Sequence, residues 1–295
     1  MKLPIFTGSG VALVTPFTSD GVDFPALKKL VDFQINNGTD AVIVCGTTGE
    51  AATMTHDERM QTIAAVVEYV NGRVPVIAGS GANNTDTAVQ SSKEIARLGV
   101  DALLVVTPYY NKATPRGLIR HYTAVADAAS KPLILYNVPP RTGVRCTAEV
   151  YAALAKHPNI AGVKEASGDL ALVQRTRRMC PEDFYIWSGD DAATAPIMLL
   201  GGKGVISVAA NIVPRQMHQL TADCLSGNFT SAGAMQVRLS KLMEALFMEV
   251  NPIPVKTALA MMGYCQECLR LPMCEMEPEN RYRLQTVLKE YALLP

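Results

Sequence analysis

The chain carries no excess of either charge: 27 basic residues meet 27 acidic ones in 295, and neither sign forms a long run. A protein of this balance has no basic footprint for nucleic acid and no cationic face for an anionic membrane. It also lacks any apolar stretch long enough to cross a bilayer. The opening Met1-Lys-Leu-Pro-Ile-Phe6 meets Gly and Ser too soon to form the apolar core of a secretory signal. We therefore expect a soluble, cytoplasmic protein with neither nucleic acid nor membrane as partner.

Cysteine is sparse and odd in number. Cys45, Cys146, Cys180, Cys224, Cys265, Cys268 and Cys274 are spread too widely for a disulfide framework. Cys265 and Cys268 have the spacing of a redox or zinc pair, but no second pair matches them and the four histidines are scattered. Thiols packed in a helical region are expected, and no metal site. Linkers, low-complexity tracts and short repeats are also missing.

What is present is apolar: 48% of the residues, enough for one large core. Strand-like runs lie at Gly10–Val14, Ala41–Cys45, Val74–Ala78, Ala102–Val106, Leu133–Asn137, Ile160–Glu165, Phe184–Ser188 and Val205–Val208. Most are unbroken apolar runs, as parallel strands covered by helices should be. Amphipathic segments separate them, among them Phe24–Asn36, Thr55–Val70, Thr85–Arg97 and Leu118–Ala128. Asp23, Thr55 and Thr85 read as N-caps, Gly38 and Gly99 as stops.

Eight such alternations predict a (β/α)8 TIM barrel. A doubly wound sheet would need a Gly-rich dinucleotide loop after the first strand, and there is none. After Val208 the strand signal stops. We expect a catalytic barrel over residues 1–224 and a helical C-terminal extension over 225–295. Asn251-Pro-Ile-Pro254 and Leu271-Pro272 should break that extension.

Barrel active sites lie at the C-terminal ends of the strands. Lys164 closes the run Ile160-Ala-Gly-Val-Lys164 at such an end. Burial disfavours a lysine's charged form and makes the neutral, nucleophilic amine accessible, as Schiff-base chemistry requires. Taken alone, a strand-end lysine is more often an ordinary one with its head in water. Other strand ends add to it. Gly46-Thr-Thr-Gly-Glu50 offers hydroxyls and amides as a cradle for a small carboxylate, or simply a capped turn. Thr107-Pro-Tyr-Tyr-Asn111 brings two phenols, for proton relay or for a subunit contact. Tyr136-Asn-Val-Pro-Pro-Arg-Thr-Gly143 brings a phenol and a guanidinium, the latter a bidentate carboxylate reader or a surface charge. Ser188-Gly-Asp-Asp191 and Gly204-Val-Ile-Ser207 end the last two strands, and Gly201-Gly-Lys-Gly204 reads as a turn, not a phosphate loop. An amine, phenols, hydroxyls and an arginine suit carbonyl chemistry on a small acidic keto compound.

These segments, with Gly162-Val-Lys-Glu-Ala166 and Asn251-Pro-Ile-Pro-Val-Lys256, resemble the dihydrodipicolinate synthase family, in order and over nearly the whole chain. The second- and sixth-strand motifs are shared with the wider pyruvate-dependent aldolases, including N-acetylneuraminate lyase. The motif holding Arg141 is more specific to the synthase. The resemblance implies that Lys164 forms an imine with pyruvate, whose enamine attacks L-aspartate 4-semialdehyde to give 4-hydroxy-tetrahydrodipicolinate on the route to lysine and diaminopimelate. No cofactor is implied, because the imine is itself the electron sink. By motif, Tyr136, Thr48 and Tyr110 form a proton relay, with Tyr110 supplied by a neighbouring subunit. Thr47 and Thr48 hold the pyruvate carboxylate, Arg141 the semialdehyde carboxylate, and Gly189 and Ile206 flank the bound pyruvate. The implied assembly is a homo-oligomer, a tetramer built from dimers.

The resemblance also implies a lysine-sensing site, which here reads Ala51, His56, Arg59, Asn83, Thr87 and Tyr109. Thr87 stands where an acid would meet a lysine ammonium, and Arg59 adds a like charge, so weak or absent feedback is expected. Two other functions compete: a sugar-acid retro-aldolase such as N-acetylneuraminate lyase, and a non-catalytic binding protein on the same barrel.

Overall fold

In a computed structural model, which describes residues 2–295, eight parallel strands close into a barrel. They are β1 (Gly8–Ala12), β2 (Ala41–Val44), β3 (Val76–Gly79), β4 (Ala102–Val106), β5 (Leu133–Asn137), β6 (Ile160–Glu165), β7 (Tyr185–Ser188) and β8 (Gly204–Ser207). Each pairs with its neighbours in sequence, and β1 pairs with β8 to complete the ring. Helices α1 (Phe24–Asn36), α2 (His56–Val70), α3 (Thr85–Ala96), α4 (Pro115–Ala128), α5 (Ala148–Leu154), α6 (Leu170–Met179), α7 (Thr194–Leu199) and α8 (Pro214–Leu225) follow the strands one by one. The expected (β/α)8 architecture is present, and three further helices, α9 (Phe229–Ala245), α10 (Ile253–Met261) and α11 (Pro278–Glu290), form the helical extension.

Strand parity decides which side chains enter the barrel. Ile43, Ile77, Leu104, Ile134, Trp187 and Ile206 pack together inside it, with Phe6 stacked on Trp187. Their neighbours Val42, Val44, Leu103, Val105, Leu135 and Val163 face outward into the layer beneath the helices. On β5 this parity sends Tyr136 inward. On β6 Val163 packs outward, so Lys164 turns in and Glu165 turns out under α5.

Several boundaries differ from the sequence expectation. The first strand starts at Gly8, not Gly10. Gly8 and Gly204 explain the shift, because a Cβ on Gly204 would lie 2.0 Å from the Gly8 carbonyl oxygen. The two glycines let β1 and β8 approach closely, so residues that read as a turn form the seam of the barrel. The third strand is likewise displaced toward its C-terminal end, to Val76–Gly79. Asp23 and Thr55 cap their helices as expected, Thr55 within a capping box with Glu58. Helix α3 is capped instead by Asn84, whose Oδ1 accepts from the Thr87 amide at 2.9 Å, while Thr85 Oγ1 bonds to His121 Nδ1. The prolines at 252 and 254 fall at the expected break between α9 and α10, and they open α10, where a missing N–H costs nothing.

The extension is fastened to the barrel by a buried ion pair. Lys256 Nζ on α10 donates to Glu50 Oε1 at 2.6 Å, and both side chains are fully buried. The ring of Phe17 lies under Lys256 Nζ and under the Arg270 guanidinium, each 4.1 Å from its centroid. Arg270 also pairs with Glu58, which it holds down at about 2. Burial pulls the Lys256 ammonium below the ordinary lysine range, opposed by the Glu50 carboxylate. Removing one partner of such a pair strands a charge in a dry interior, whereas removing both does not. Lys256→Met should therefore lose about 3–5 kcal/mol of unfolding free energy, and the Lys256→Met/Glu50→Gln double variant should recover most of it. Chemical denaturation of the three proteins checks this; a single variant within 1 kcal/mol of wild type would contradict it.

Candidate active site

A cavity of about 970 Å³ opens at the C-terminal end of the barrel between the strand ends and α9. Thr48, Tyr136, Arg141, Lys164, Gly189 and Asn251 all line it. Lys164 is only 6% exposed. Its Nζ lies over the Tyr136 ring, 4.2 Å from the centroid, in a register that sets the two residues side by side on adjacent strands. Among the described residues no carboxylate stands within ion-pair distance of this amine, in contrast to Lys256. Room for its side chain comes from Gly189, where a Cβ would come within 3.0 Å of both Lys164 Cγ and Lys164 Cε.

Polar contacts behind the strands hold this arrangement. Outside the barrel, Glu165 accepts from Tyr151 Oη at 2.8 Å, Asn137 Nδ2 at 3.0 Å and the Ser167 amide at 2.9 Å. Burial pushes the Glu165 carboxyl up and the Tyr151 phenol well up, so the phenol serves as a neutral donor. The Tyr136 carbonyl accepts from Thr107 Oγ1, which in turn accepts from Tyr122 Oη at 3.1 Å. In the turn after β7 the buried Asp191 takes the amides of Val208 and Ala209 on Oδ2, joining the ends of β7 and β8. The Glu165 contacts lie on the helix side of the barrel, while Asp191 itself lines the cavity.

The wall opposite Lys164 comes from the loop after β2 and from the C-terminal extension. Glu50 ends the Gly46-Thr-Thr-Gly-Glu50 loop in the left-handed region, φ 54°, held there by Lys256. Thr48 Oγ1 accepts from Asn251 Nδ2 at 3.0 Å. Arg141, in a single helical turn at Pro139–Thr142, donates from Nη2 to the Asn251 carbonyl at 2.9 Å. Sequence reasoning gave Asn251 no role, although its motif was noted; what singles it out is spatial, a contact spanning 203 residues.

The remaining expected residues lie elsewhere. Thr47 is half-buried beside Thr48 but is not among the cavity-lining residues, and Ile206 belongs to the packed barrel interior. Tyr110 is 89% exposed, with φ 72°, and is not among the residues lining its own chain's cavity. At the expected sensing site, His56 Nε2 lies 3.3 Å from Glu94 Oε2. Arg59 folds inward, its Nη2 donating to the Gly79 carbonyl at 3.0 Å. Asn111 Nδ2 bonds the Asn83 carbonyl, Thr87 turns back to Asn84, and Ala51 opens a short 3-10 turn. Tyr109 is part-exposed nearby in sequence to Asn111. Glu94, which the sequence reading did not include, is the acid beside His56. Among the described residues no group of three or more His, Cys, Asp or Glu is placed to hold a metal ion, and no helix is long and apolar enough to cross a membrane.

Comparison with known proteins gives the family. The chain is 51% identical over 293 residues to the 4-hydroxy-tetrahydrodipicolinate synthase of Thermoanaerobacter sp. strain X514, covering 99% of each. The chloride-inhibited dihydrodipicolinate synthase of Acinetobacter baumannii, solved with pyruvate, superposes with a TM-score of 0.96 at 42% identity, over 98% of this chain and 99% of that one. The enzyme of Cyanidioschyzon merolae, solved with lysine bound, gives 0.96 at 40% identity, over 99% of this chain and 100% of that one. The model of the dihydrodipicolinate synthetase family matches residues 5–291, and the chain belongs to that family.

Proposed function

We propose that this chain condenses pyruvate with L-aspartate 4-semialdehyde to 4-hydroxy-tetrahydrodipicolinate and one water, acting in the cytoplasm. The observation that carries the reading is one buried amine without a carboxylate partner, sharing a cavity with a phenol, a hydroxyl and a guanidinium, in a chain half identical to a synthase. In this reading the neutral Lys164 amine adds to the pyruvate ketone, and water leaves to give an iminium. Loss of a methyl proton gives the enamine, whose carbon attacks the semialdehyde aldehyde. The substrate's own amine then attacks the imine carbon, closes the ring and releases Lys164. In this reading Tyr136, beside the amine, moves protons in the addition and dehydration steps, and Thr48 shares in the relay. Thr47 and Thr48 meet the pyruvate carboxylate, and Arg141 the semialdehyde carboxylate.

The outward Tyr110 supports an oligomer. In a single chain this phenol is exposed and does not line the cavity. We infer that it completes the relay of a neighbouring subunit, in a tetramer built from dimers.

Two outcomes test the reading. The wild-type protein should turn over L-aspartate 4-semialdehyde with pyruvate and leave N-acetylneuraminate untouched. Arg141→Ala should raise the KM for the semialdehyde, with a loss of about 2–5 kcal/mol in kcat/KM. Unchanged semialdehyde kinetics in that variant, or cleavage of the sugar acid by the wild type, would refute the assignment. The sensing face leads to a separate prediction. Its acid, Glu94, already holds His56, and Arg59 places a cation close by, which costs a lysine ammonium on the order of tenfold or more in affinity. Steady-state rates should therefore resist micromolar lysine; inhibition in that range would overturn the prediction.

A further inference from the structure

Strand β6 carries one residue more than its neighbour β5. Leu133 pairs with Ile160, but Ile134 pairs with Gly162, so Ala161 has no partner across this ladder. An extra residue of this kind puts every later side chain on the face it would otherwise have left. Ile160 packs outward like Leu133, Gly162 lies beside the inward Ile134, and from there Lys164 pairs with the inward Tyr136. Without the extra residue Val163 would stand beside Tyr136. Lys164 would then turn out under the helices, and Glu165 would turn into the barrel. Gly162 suits the course the strand takes, because a Cβ there would lie 1.9 Å from the Tyr185 carbonyl oxygen.

The two registers differ by a single residue, and one side-chain contact belongs to the observed register alone. Asn137 and Glu165 are the pair just past Tyr136 and Lys164, and both are buried. Asn137 Nδ2 donates to Glu165 Oε1 at 3.0 Å and to Oε2 at 3.2 Å, while its Oδ1 accepts from the Cys146 amide at 3.1 Å. Tyr151 Oη and the Ser167 amide fill the remaining sites on the Glu165 carboxyl. In the slipped register Lys164 would stand opposite Asn137. The bridge would be lost, and a buried amide would be left short of a partner, which is costly. We propose that Asn137 and Glu165 are positioning residues: their bridge locks the register that the extra residue at Ala161 creates, and so keeps the Lys164 amine on the cavity side against the Tyr136 ring. The inference rests on the imine chemistry proposed above.

The test reads both the rate constant and the amplitude of imine formation with pyruvate alone, by rapid borohydride quench and intact mass. Asn137→Asp keeps the side chain's shape but sets one carboxylate against another. The double variant Asn137→Asp/Glu165→Gln moves the amide to the other strand and restores the bridge with its polarity reversed. The single variant should form the imine with a rate constant lower by about tenfold or more, since a reacting group displaced by a fraction of an ångström loses that much. The double variant should return to within about threefold of wild type, because the two changes act on one contact. Both should trap the same fraction of the protein as wild type. A contact that only stabilises the fold would behave differently: the trapped fraction and Tm would fall together, while the rate constant of the remaining protein stayed at the wild-type value. That pattern, a wild-type rate constant in Asn137→Asp, or a double variant no faster than the single one would overturn the inference. Should Asn137→Asp not fold, Tyr151→Phe removes one donor from Glu165 and keeps the ring. A rate constant lower by about threefold or more at full trapped fraction then supports the lock, and an unchanged one overturns it. If wild type itself forms no imine, the proposed reaction fails instead, which separates the two failures.

Discussion

A lysine amine held inside a barrel without an anion is the constraint around which the rest of this molecule is arranged. The chain contains the contrasting case as well. Lys256 is more deeply buried and rests on the Glu50 carboxylate and the Phe17 ring. That lysine is structural: its charge is matched and its nitrogen is occupied. Lys164 has an aromatic face beside it and an open cavity above it, and among the described residues no carboxylate claims its nitrogen. An amine placed this way keeps its nitrogen open to a carbonyl substrate. The same residue type thus does two jobs, and the partner decides which.

The surrounding structure keeps that amine usable. Parity on β6 turns Lys164 in and Glu165 out, so the one acid adjacent in sequence is withdrawn into a hydrogen-bonded layer outside the barrel. Gly189 leaves space that any side chain would fill. The C-terminal extension supplies the facing wall, through Asn251 and Lys256, and so joins two distant stretches of sequence at one loop. Residues that look peripheral in the chain are central to where Thr48 and Arg141 stand.

Much of the fold was legible in the sequence because buried parallel strands are unbroken apolar runs and helices announce themselves by caps. Asp23 and Thr55 show this directly. The places where the reading slipped have physical causes. Gly8-Ser9-Gly10 has the composition of a turn but serves as strand, because only glycine permits the close contact between β1 and β8. Thr85 was a reasonable cap until Asn84 took the role and left the threonine to His121. In the site, Lys164, Tyr136 and Arg141 were visible as strand-end chemistry and meet in one cavity. Asn251 and Glu94 were not singled out, since nothing local distinguishes an asparagine before a proline, or a helical glutamate, from its neighbours. Their importance comes from contacts that only the folded chain creates.

The most direct measurement is to find which nitrogen pyruvate modifies. Treating the protein with labelled pyruvate and borohydride, then digesting it and mapping the adduct by mass, compares the two buried lysines within one molecule. The account predicts label on Lys164 and none on Lys256. Label on Lys256, or no covalent label at all, would contradict it.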